Sequence, residues 1–383
     1  MMPGPVLHFG EEEATRVLRA YGLRLISLER IWKGTISQNF RVETDIGPIF
    51  VRVSPGRAVA DAEFETRLIW HLLSHGLRTP ALYQAHNRQG FVTVPGPLKG
   101  QVAALAMVYE WVDGYERTDA EYDERHAHEV GQLLGQLHLC TATLPLRRDG
   151  IYTLSHIQQR LGTLRRHPRR TDDLLPLLDR LTQEADGLAR QRLLALPMGV
   201  GHCDLFPDNI LFPSTRCVRR ARKGSEAGPW VIDLEQAAWT TLIYDLAVSL
   251  LACTAPLPPV SRDENNGVDV PKRCGPMLAA TARAMVAGYQ RMRLLTDAEW
   301  TALPGMLRLA CVRFTTTRLH DVHLQPPIDP SGKAEDESTA LLNDERNQRK
   351  ANGKVHSKDY RDYVYRLDRL QEVSPEELIH GLR

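Results

Sequence analysis

One short segment limits the folds open to this chain more than any other. It is Gly201–Phe212, which reads G-H-C-D-L-F-P-D-N-I-L-F, and V-I-D-L-E follows it after a polar stretch, at Val231–Glu235. A loop of the form H-x-D-x-x-x-x-N places Asp204 and Asn209 together, and Asp233 then follows a predicted strand. A fold that uses these polar groups together must bring one loop and one strand end to the same place.

These residue types suit the transfer of a phosphoryl group from a nucleotide. Such a transfer needs a carboxylate that orients or deprotonates the attacking hydroxyl, and separate oxygen ligands that hold Mg²⁺ against the phosphates. The spacing therefore predicts Asp204 as the acceptor-side catalytic residue, and Asn209 and Asp233 as metal ligands. His202 and Asp245 are predicted to support this loop.

The first part of the chain has the pattern of a sheet with one helix. Three short strands are predicted between Leu25 and Val53, with the turn D-I-G-P joining the last two. A helix is predicted over Ala58–His75, ending at Gly76. Two or three further strands are predicted within Thr79–Val94 and Val102–Val112.

After Asp113 the hydrophobic period becomes helical. Helices are predicted at Glu121–Cys140, within Ser155–Ala195, and at Tyr244–Cys253, Gly275–Arg293 and Asp297–His323. The sequence thus predicts an α+β protein of two lobes. The N-terminal lobe, residues 1–112, would bind the nucleotide, and the larger helical lobe, residues 113–383, would carry the catalytic loop and the acceptor site.

Charge composition argues against a nucleic-acid partner. The chain has 48 Lys and Arg against 47 Asp and Glu, so its net charge of +1 gives no field that would attract a polyanion. Two basic runs, at 165–170 and 216–223, lack the interleaved aromatic residues of single-strand binding surfaces. We interpret them as solvated surface, and the polar stretches 215–228, 261–273 and 331–358 as solvated loops.

The sequence predicts a cytoplasmic protein without membrane segments. Its six cysteines include no C-x-x-C pair, as expected of free thiols in a reducing compartment. Acidic residues at Glu11–Glu13 stand where a secretory signal would carry basic ones. The longest uncharged stretch, Leu246–Val260, ends in prolines and is too short to span about 30 Å of hydrocarbon.

Several further stretches, taken with the loop, resemble the aminoglycoside phosphotransferase and choline kinase superfamily, the small-molecule relatives of protein kinases. They are E-W-V-D-G at 110–114, L-G-Q-L-H-L at 134–139 and L-I-Y-D-L-A-V-S-L at 242–250. The D-L-F run with Asp208 and Asn209, together with the stretches 307–324 and 358–364, most resembles the kinase-like homoserine kinases.

This resemblance implies a two-lobed protein-kinase-like fold that binds ATP and Mg²⁺ and phosphorylates a small-molecule alcohol. Conversion of homoserine to O-phosphohomoserine, a step of threonine biosynthesis, is the first expectation. Another hydroxylated amine, such as an aminoglycoside, choline or hydroxylysine, is the enzymatic alternative. A relative that binds nucleotide without catalysis is the alternative of a different class.

The resemblance also implies where the nucleotide is bound. The third-strand cation is Arg52 here, where protein kinases have Lys, and its partner on the next helix would be Glu65, or alternatively Glu63. The loop covering the phosphates offers four candidates: Gly34, Thr35, Ser37 and Asn39. Adenine would meet backbone groups of the interlobe connector: Glu110, Trp111 and Val112.

Two further predictions concern the metal and the acceptor. Glu235, two residues after Asp233, is a candidate for the metal or its water shell. An amino-acid acceptor presents a carboxylate, an ammonium and a hydroxyl, so its site needs a cation and an anion. We predict Arg318 for the carboxylate and Asp321 for the ammonium, the alternative being that these two residues pair with each other or cap their helix.

Overall fold

The computed structural model describes eight stretches of the chain: residues 9–32, 37–96, 102–117, 122–190, 196–214, 228–255, 273–324 and 359–383. The chain divides into two units. The first comprises Met1–Glu116, Gln136–Arg148 and Asp208–Ala237. The second comprises Arg117–Gly135, Asp149–Pro207 and Ala238–Arg383. The predicted lobe boundary after Val112 stays a prediction.

A five-stranded antiparallel sheet forms the centre of the first unit. Its strands stand in the order β1-β2-β3-β5-β4. Their bounds are β1 Leu25–Ile31, β2 Gln38–Thr44, β3 Gly47–Pro55, β4 Phe91–Pro95 and β5 Val102–Glu110. The turn between β2 and β3 pairs Thr44 with Gly47, whose φ of 108° lies in the region that favours glycine. The three strands predicted between Leu25 and Val53 are thus confirmed.

The alternation of side chains along β3 assigns its residues to two faces of the sheet. Val51 and Val53 are buried in one hydrophobic cluster with Leu18 of the helix Glu11–Arg19. Arg52, between them, therefore points to the other face. The helix Glu11–Arg19 was not predicted from the sequence. At its start, the backbone N–H of Gly10 donates to the Glu13 carboxylate.

The predicted helix after β3 is observed at Val59–Ser74. Gly76 ends it with a left-handed backbone, φ 77°, as predicted from the sequence. The N–H groups of Gly76 and Leu77 donate back to the carbonyls of Leu73 and Leu72, each at 3.0 Å. This arrangement satisfies two carbonyls that the helix end would otherwise leave open.

The second unit is mainly helical. Its helices are Leu154–Arg165, Leu175–Arg190, Leu242–Thr254, Ala279–Met292, Asp297–Arg318, Arg361–Gln371 and Pro375–Leu382, with the first part of Glu124–Thr141. Every residue of Leu242–Thr254 is buried, as expected of a helix that is apolar on all sides. The last two helices were not predicted from the sequence. Among the described residues, no helix is both long and apolar enough to cross a membrane.

Short antiparallel pairs complete the described secondary structure. In the second unit, β7 Met198–Gly201 pairs with β10 Ala238–Thr241, and β11 Arg273–Cys274 with β12 Met277–Leu278. In the first unit, β8 Ile210–Pro213 lies between β6 Gly114–Tyr115 and β9 Trp230–Val231. Apart from Gly228 and Arg273, the three polar stretches predicted as loops lie outside the described residues. Four cysteines are buried free thiols: Cys140, Cys203, Cys253 and Cys311.

Glycines allow two helices of the second unit to touch backbone to backbone. A Cβ placed on Gly131 would lie 2.0 Å from the carbonyl oxygen of Met285. A Cβ on Gly288, on the facing helix, would lie 2.0 Å from the carbonyl oxygen of His128. Neither neighbour is a flexible side chain, so any larger residue must separate the helices.

We expect Gly131→Ala to destabilise the protein by at least about 1–3 kcal/mol, because the new methyl group meets backbone atoms. Gly187 is the matched control, since it also lies inside a helix and a Cβ there meets nothing within 4 Å. Gly187→Ala should stabilise by about 0.5–1 kcal/mol. Thermal unfolding of both variants measures the difference, and equal midpoints would contradict the close helix contact.

Candidate active site

A buried carboxylate holds the loop that carries Asp204. Asp245 lies in the first turn of Leu242–Thr254 and is fully buried. It accepts hydrogen bonds from the backbone N–H groups of His202 and Cys203, both at 2.7 Å. Such charge-assisted bonds are stronger than neutral ones. They stabilise the left-handed backbone of Cys203, φ 64°, which a non-glycine residue rarely adopts.

The same carboxylate explains why the loop begins with glycine. A Cβ on Gly201 would lie 2.6 Å from Oδ2 of Asp245, the oxygen that binds the N–H of His202. A larger residue at this position would displace the carboxylate from the loop. Gly201, His202 and Asp245 therefore act as one structural unit, and the roles predicted for His202 and Asp245 stay predictions.

Asp204 is fixed at its backbone and leaves its carboxylate partly accessible. Its N–H donates to Nδ1 of His202 at 3.3 Å. Arg313, on the helix Asp297–Arg318, donates to the carbonyl oxygen of Cys203 at 2.6 Å and lies 3.4 Å from Oδ1 of Asp204. The Asp204 side chain is 32% exposed, whereas that of Arg313 is 4% exposed. A carboxylate on a fixed backbone is thus open to a substrate hydroxyl.

Arg313 was not predicted as a neighbour of the loop. Burial alone would lower the pKa of Arg313, but the Tyr244 phenol and the Asp204 carboxylate raise it above its ordinary value. The residue therefore stays cationic beside Asp204. The available sequence signal was a cation in the otherwise uncharged run C-V-R-F-T at 311–315, which had no obvious solvent-facing position.

In the first unit, Arg52 links the sheet to two carboxylates. Its Nη1 lies 3.1 Å from Oδ1 of Asp233 and 3.6 Å from Oε1 of Glu65. Glu65 is buried on the helix Val59–Ser74, whereas Glu63 is exposed on the same helix. Burial would lower the pKa of Arg52, but Asp233, Tyr109 and Glu65 raise it.

A second arginine, not predicted from the sequence, also binds Glu65. Arg57 donates to Oε2 of Glu65 at 2.5 Å, and the hydroxyl of Tyr109 donates to Oε1 at 3.1 Å. The side chain of Glu65 is 1% exposed, so these donors and Arg52 replace its water shell. A carboxylate this deeply buried is stable only with such partners.

Asn209 and Asp233 are brought together by the pairing of β8 with β9. Asn209 immediately precedes β8 and Asp233 closely follows β9. The N–H of Ile232 donates to the carbonyl oxygen of Asn209 at 3.0 Å, which continues the ladder to the two polar residues. Asp233 has a left-handed backbone, φ 60° and ψ 61°, and begins the turn Leu234–Gln236.

Arg148 fixes the segment that follows Asp233. It donates to the carbonyl oxygens of Glu235 and Ala237, both at 2.5 Å. It also lies 3.2 Å from the carboxylate of Asp61, in the first turn of Val59–Ser74. That helix is therefore joined to the segment 233–237 twice, through Arg148 and through Arg52. Burial raises the pKa of the Glu235 carboxyl above its ordinary value, although Arg57 and Arg52 act to lower it.

The other predicted nucleotide-binding residues lie along the sheet of the first unit. The Ser37 hydroxyl is 2.8 Å from that of Ser54, and Asn39 is paired with Arg52 across β2 and β3. Glu110 ends β5, and its N–H donates to the carbonyl of Ala81 at 2.8 Å. Trp111 and Val112 follow it, and the Arg41 guanidinium lies 5.2 Å from the Trp111 ring. Gly34 and Thr35 lie outside the described residues.

The two predicted acceptor residues have different partners. Arg318 donates to the carbonyl oxygen of Asp359 at 2.8 Å and lies 3.4 Å from Asp362. Asp321 lies 3.0 Å from Arg160, on the helix Leu154–Arg165. The acceptor roles of Arg318 and Asp321 stay predictions.

We expect Asp245→Asn to lower both stability and turnover. An amide offers one acceptor oxygen where the carboxylate offers two, so one buried N–H of the loop loses its partner, at a cost of about 1–3 kcal/mol. Because Asp204 follows this turn directly, kcat should fall at least about tenfold while the KM for ATP changes little.

Ser249→Ala is the matched control. Ser249 lies one turn further along the same helix, is equally buried, and donates within the helix to the backbone carbonyl of Asp245. Its loss should cost no more than about 1 kcal/mol and leave kcat unchanged. Wild-type stability and turnover in Asp245→Asn would show that the loop does not depend on this carboxylate.

The chain is similar to known proteins in sequence and in fold. Residues 27–295 match the model of the phosphotransferase enzyme family called APH. A homoserine kinase of Nitrobacter hamburgensis is 31% identical over 315 residues, covering 81% of this chain and 84% of that protein. A homoserine kinase of Beijerinckia indica is 30% identical over 339 residues, covering 85% of this chain and 93% of that protein.

Solved structures show the same fold. An amicoumacin kinase in complex with AMP-PNP, Ca²⁺ and Ami superposes with a TM-score of 0.60 at 15% identity, covering 92% of this chain and 97% of that one. A microcompartment-associated aminopropanol kinase superposes with a TM-score of 0.60 at 17% identity, covering 98% of this chain and 99% of that one. The predicted α+β fold of the protein-kinase-like type is confirmed. The chain belongs to the phosphotransferase enzyme family and is an ATP-dependent kinase of small molecules.

Proposed function

We propose that this protein phosphorylates the hydroxyl group of L-homoserine to give O-phospho-L-homoserine, as a step of threonine biosynthesis. The similarity to homoserine kinases over about four fifths of the chain supports this acceptor. The structural observation that carries the proposal is the Asp204 carboxylate, accessible on a loop whose neighbouring groups are buried and hydrogen-bonded.

Asp204 acts on the acceptor in the proposed reaction. The hydroxyl oxygen of homoserine attacks the γ-phosphorus of ATP and forms the new O–P bond. The bond between that phosphorus and the β–γ bridging oxygen breaks, and ADP leaves with its electron pair. The hydroxyl proton passes to the carboxylate of Asp204. Arg313 lies beside that carboxylate, and His202 fixes the Asp204 backbone by accepting from its N–H.

Asn209 and Asp233 fit a divalent cation, for which we propose Mg²⁺. They offer an amide oxygen and a carboxylate, the hard oxygen ligands that Mg²⁺ prefers, and Glu235 is a third candidate. The described residues contain no group of three or more His, Cys, Asp or Glu side chains able to hold a metal by itself. When bound, the cation neutralises charge on the phosphates during transfer.

Arg52 is proposed to bind the phosphates of ATP, with Glu65 and Arg57 fixing its direction. A guanidinium binds phosphate through two parallel N–H groups, whereas an ammonium acts as a point charge. Ser37, Asn39 and the loop at Gly34 are proposed as further phosphate donors. Backbone groups of Glu110, Trp111 and Val112 are proposed to bind adenine, which makes residues 1–112 the nucleotide-binding part of the chain.

Coupled ATP turnover against a panel of acceptors tests the proposal. The panel is homoserine, serine, choline, hydroxylysine and an aminoglycoside, with Mg²⁺ present and each product identified by mass. Turnover of homoserine above all others is the expected result. Preference for another hydroxylated amine would replace the acceptor and keep the reaction, and nucleotide binding without any turnover would indicate an inactive relative.

We expect Asp204→Asn to lower kcat by at least about 10²-fold, because the amide cannot take the hydroxyl proton. The KM for ATP should stay close to that of the wild type, since the residue acts on the acceptor side. Asp173→Asn, an exposed substitution on the turn Asp172–Leu174, is the control and should leave both parameters unchanged. Full turnover in Asp204→Asn would contradict the assigned role.

A further inference from the structure

The ring of Tyr152 lies close to two arginines of the second unit. The Arg313 guanidinium carbon is 4.3 Å from the ring centroid, and that of Arg160 is 5.3 Å away. Arg313 is the residue that approaches the Asp204 carboxylate. Arg160 and the arginine that approaches Asp204 therefore lie close to the same aromatic ring.

Arg160 is paired with Asp321 in an accessible ion pair. Its Nη1 lies 3.1 Å from Oδ1 and 3.0 Å from Oδ2 of Asp321. The side chains are 27% and 44% exposed. Nδ1 of His320 also lies 2.6 Å from Oδ1 of Asp321. Ion pairs this exposed contribute little to stability, so a ligand that carries both charges can replace each partner without a large cost.

Four charged groups act on the Tyr152 phenol. Burial raises the pKa of Tyr152, Arg313 and Arg160 lower it, and Asp321 and Asp204 raise it. The Arg160–Asp321 pair and the Arg313–Asp204 pair are thus both close enough to Tyr152 to act on its phenol. The ring itself offers an apolar surface to the short aliphatic part of a ligand.

Arg318 is less suited to an accessible carboxylate. Its guanidinium donates to the Asp359 carbonyl, pairs with Asp362 and stacks on the Tyr363 ring at 4.6 Å. Its side chain is 13% exposed, about half the exposure of Arg160. Burial lowers the pKa of Arg318, which indicates that its charge is already poorly solvated.

We propose that Arg160 and Asp321 bind the zwitterionic end of an amino-acid acceptor. Arg160 takes the α-carboxylate through its planar fork, and Asp321 takes the ammonium. The methylene groups lie along Tyr152, and the terminal hydroxyl is directed toward Asp204. This inference rests on the proposed function, which it deepens by naming the residues that select an amino acid over a simple amine.

Two analogues of homoserine separate the two charges. 3-Aminopropan-1-ol is homoserine without the carboxylate, and 4-hydroxybutanoate is homoserine without the ammonium. Arg160→Gln should raise the KM for homoserine about 10- to 100-fold, as the loss of a charged hydrogen bond predicts. It should leave the constant for 3-aminopropan-1-ol unchanged. Asp321→Asn should raise the KM for homoserine by a similar factor and leave the constant for 4-hydroxybutanoate unchanged.

The constants are KM values, or inhibition constants against homoserine where an analogue is turned over too slowly. Arg165→Gln is the matched control, because Arg165 lies on the same helix in another accessible pair, with Asp179. It should change none of the constants. The KM for ATP, measured in all variants, should also stay constant.

The outcomes distinguish this inference from the proposed function. Two results would overturn the inference alone, provided that the wild type turns over homoserine. One is an unchanged KM for homoserine in Arg160→Gln. The other is an equal rise in the constants for homoserine and 3-aminopropan-1-ol in that variant. Turnover of hydroxylysine or serine in place of homoserine, lost selectively in Arg160→Gln, would support the inference and contradict the proposed acceptor. Turnover only of amines without a carboxylate would overturn both.

Discussion

The Asp245 carboxylate is the contact on which the acceptor side of this protein depends. It is fully buried, and its two oxygens bind consecutive N–H groups, those of His202 and Cys203. A buried carboxylate without such donors would be strongly unfavourable, so the helix and the loop stabilise each other. The result is a backbone turn that presents Asp204, with its carboxylate accessible and its N–H fixed.

The first unit also contains a buried carboxylate, and here arginines stabilise it. Glu65 has almost no exposed surface and is surrounded by Arg52, Arg57 and Tyr109. Arg52 also contacts Asp233, the predicted metal ligand, so the orientations of these two side chains depend on each other. Replacing one arginine would leave a buried charge unbalanced, which costs far more than losing a surface ion pair. The cluster therefore limits how the phosphate-binding cation can be oriented.

Much of this arrangement was predictable from the sequence, and what was missed has a common cause. Alternation indicated the strands of the five-stranded sheet, helical period indicated most helices, and the loop motif indicated Asp204, Asn209 and Asp233 as candidates. The contacts of Arg148 and Arg313 were missed because each joins segments distant in the chain. Arg57 lies close to Glu65 in sequence, but an arginine in a sequence carries no mark of its partner. The final helices follow polar stretches that obscured their pattern.

In the proposed site Asp204 acts on the acceptor, whereas Asp233 binds the metal. Binding of Mn²⁺ together with ATP, followed by electron paramagnetic resonance in wild type, Asp204→Asn and Asp233→Ala, tests this division of roles most directly. We expect wild-type affinity for Mn²⁺ in Asp204→Asn and at least about a tenfold loss in Asp233→Ala, since only the latter variant removes a proposed metal ligand. Equal affinity in Asp233→Ala and wild type, or a loss confined to Asp204→Asn, would contradict the division of roles.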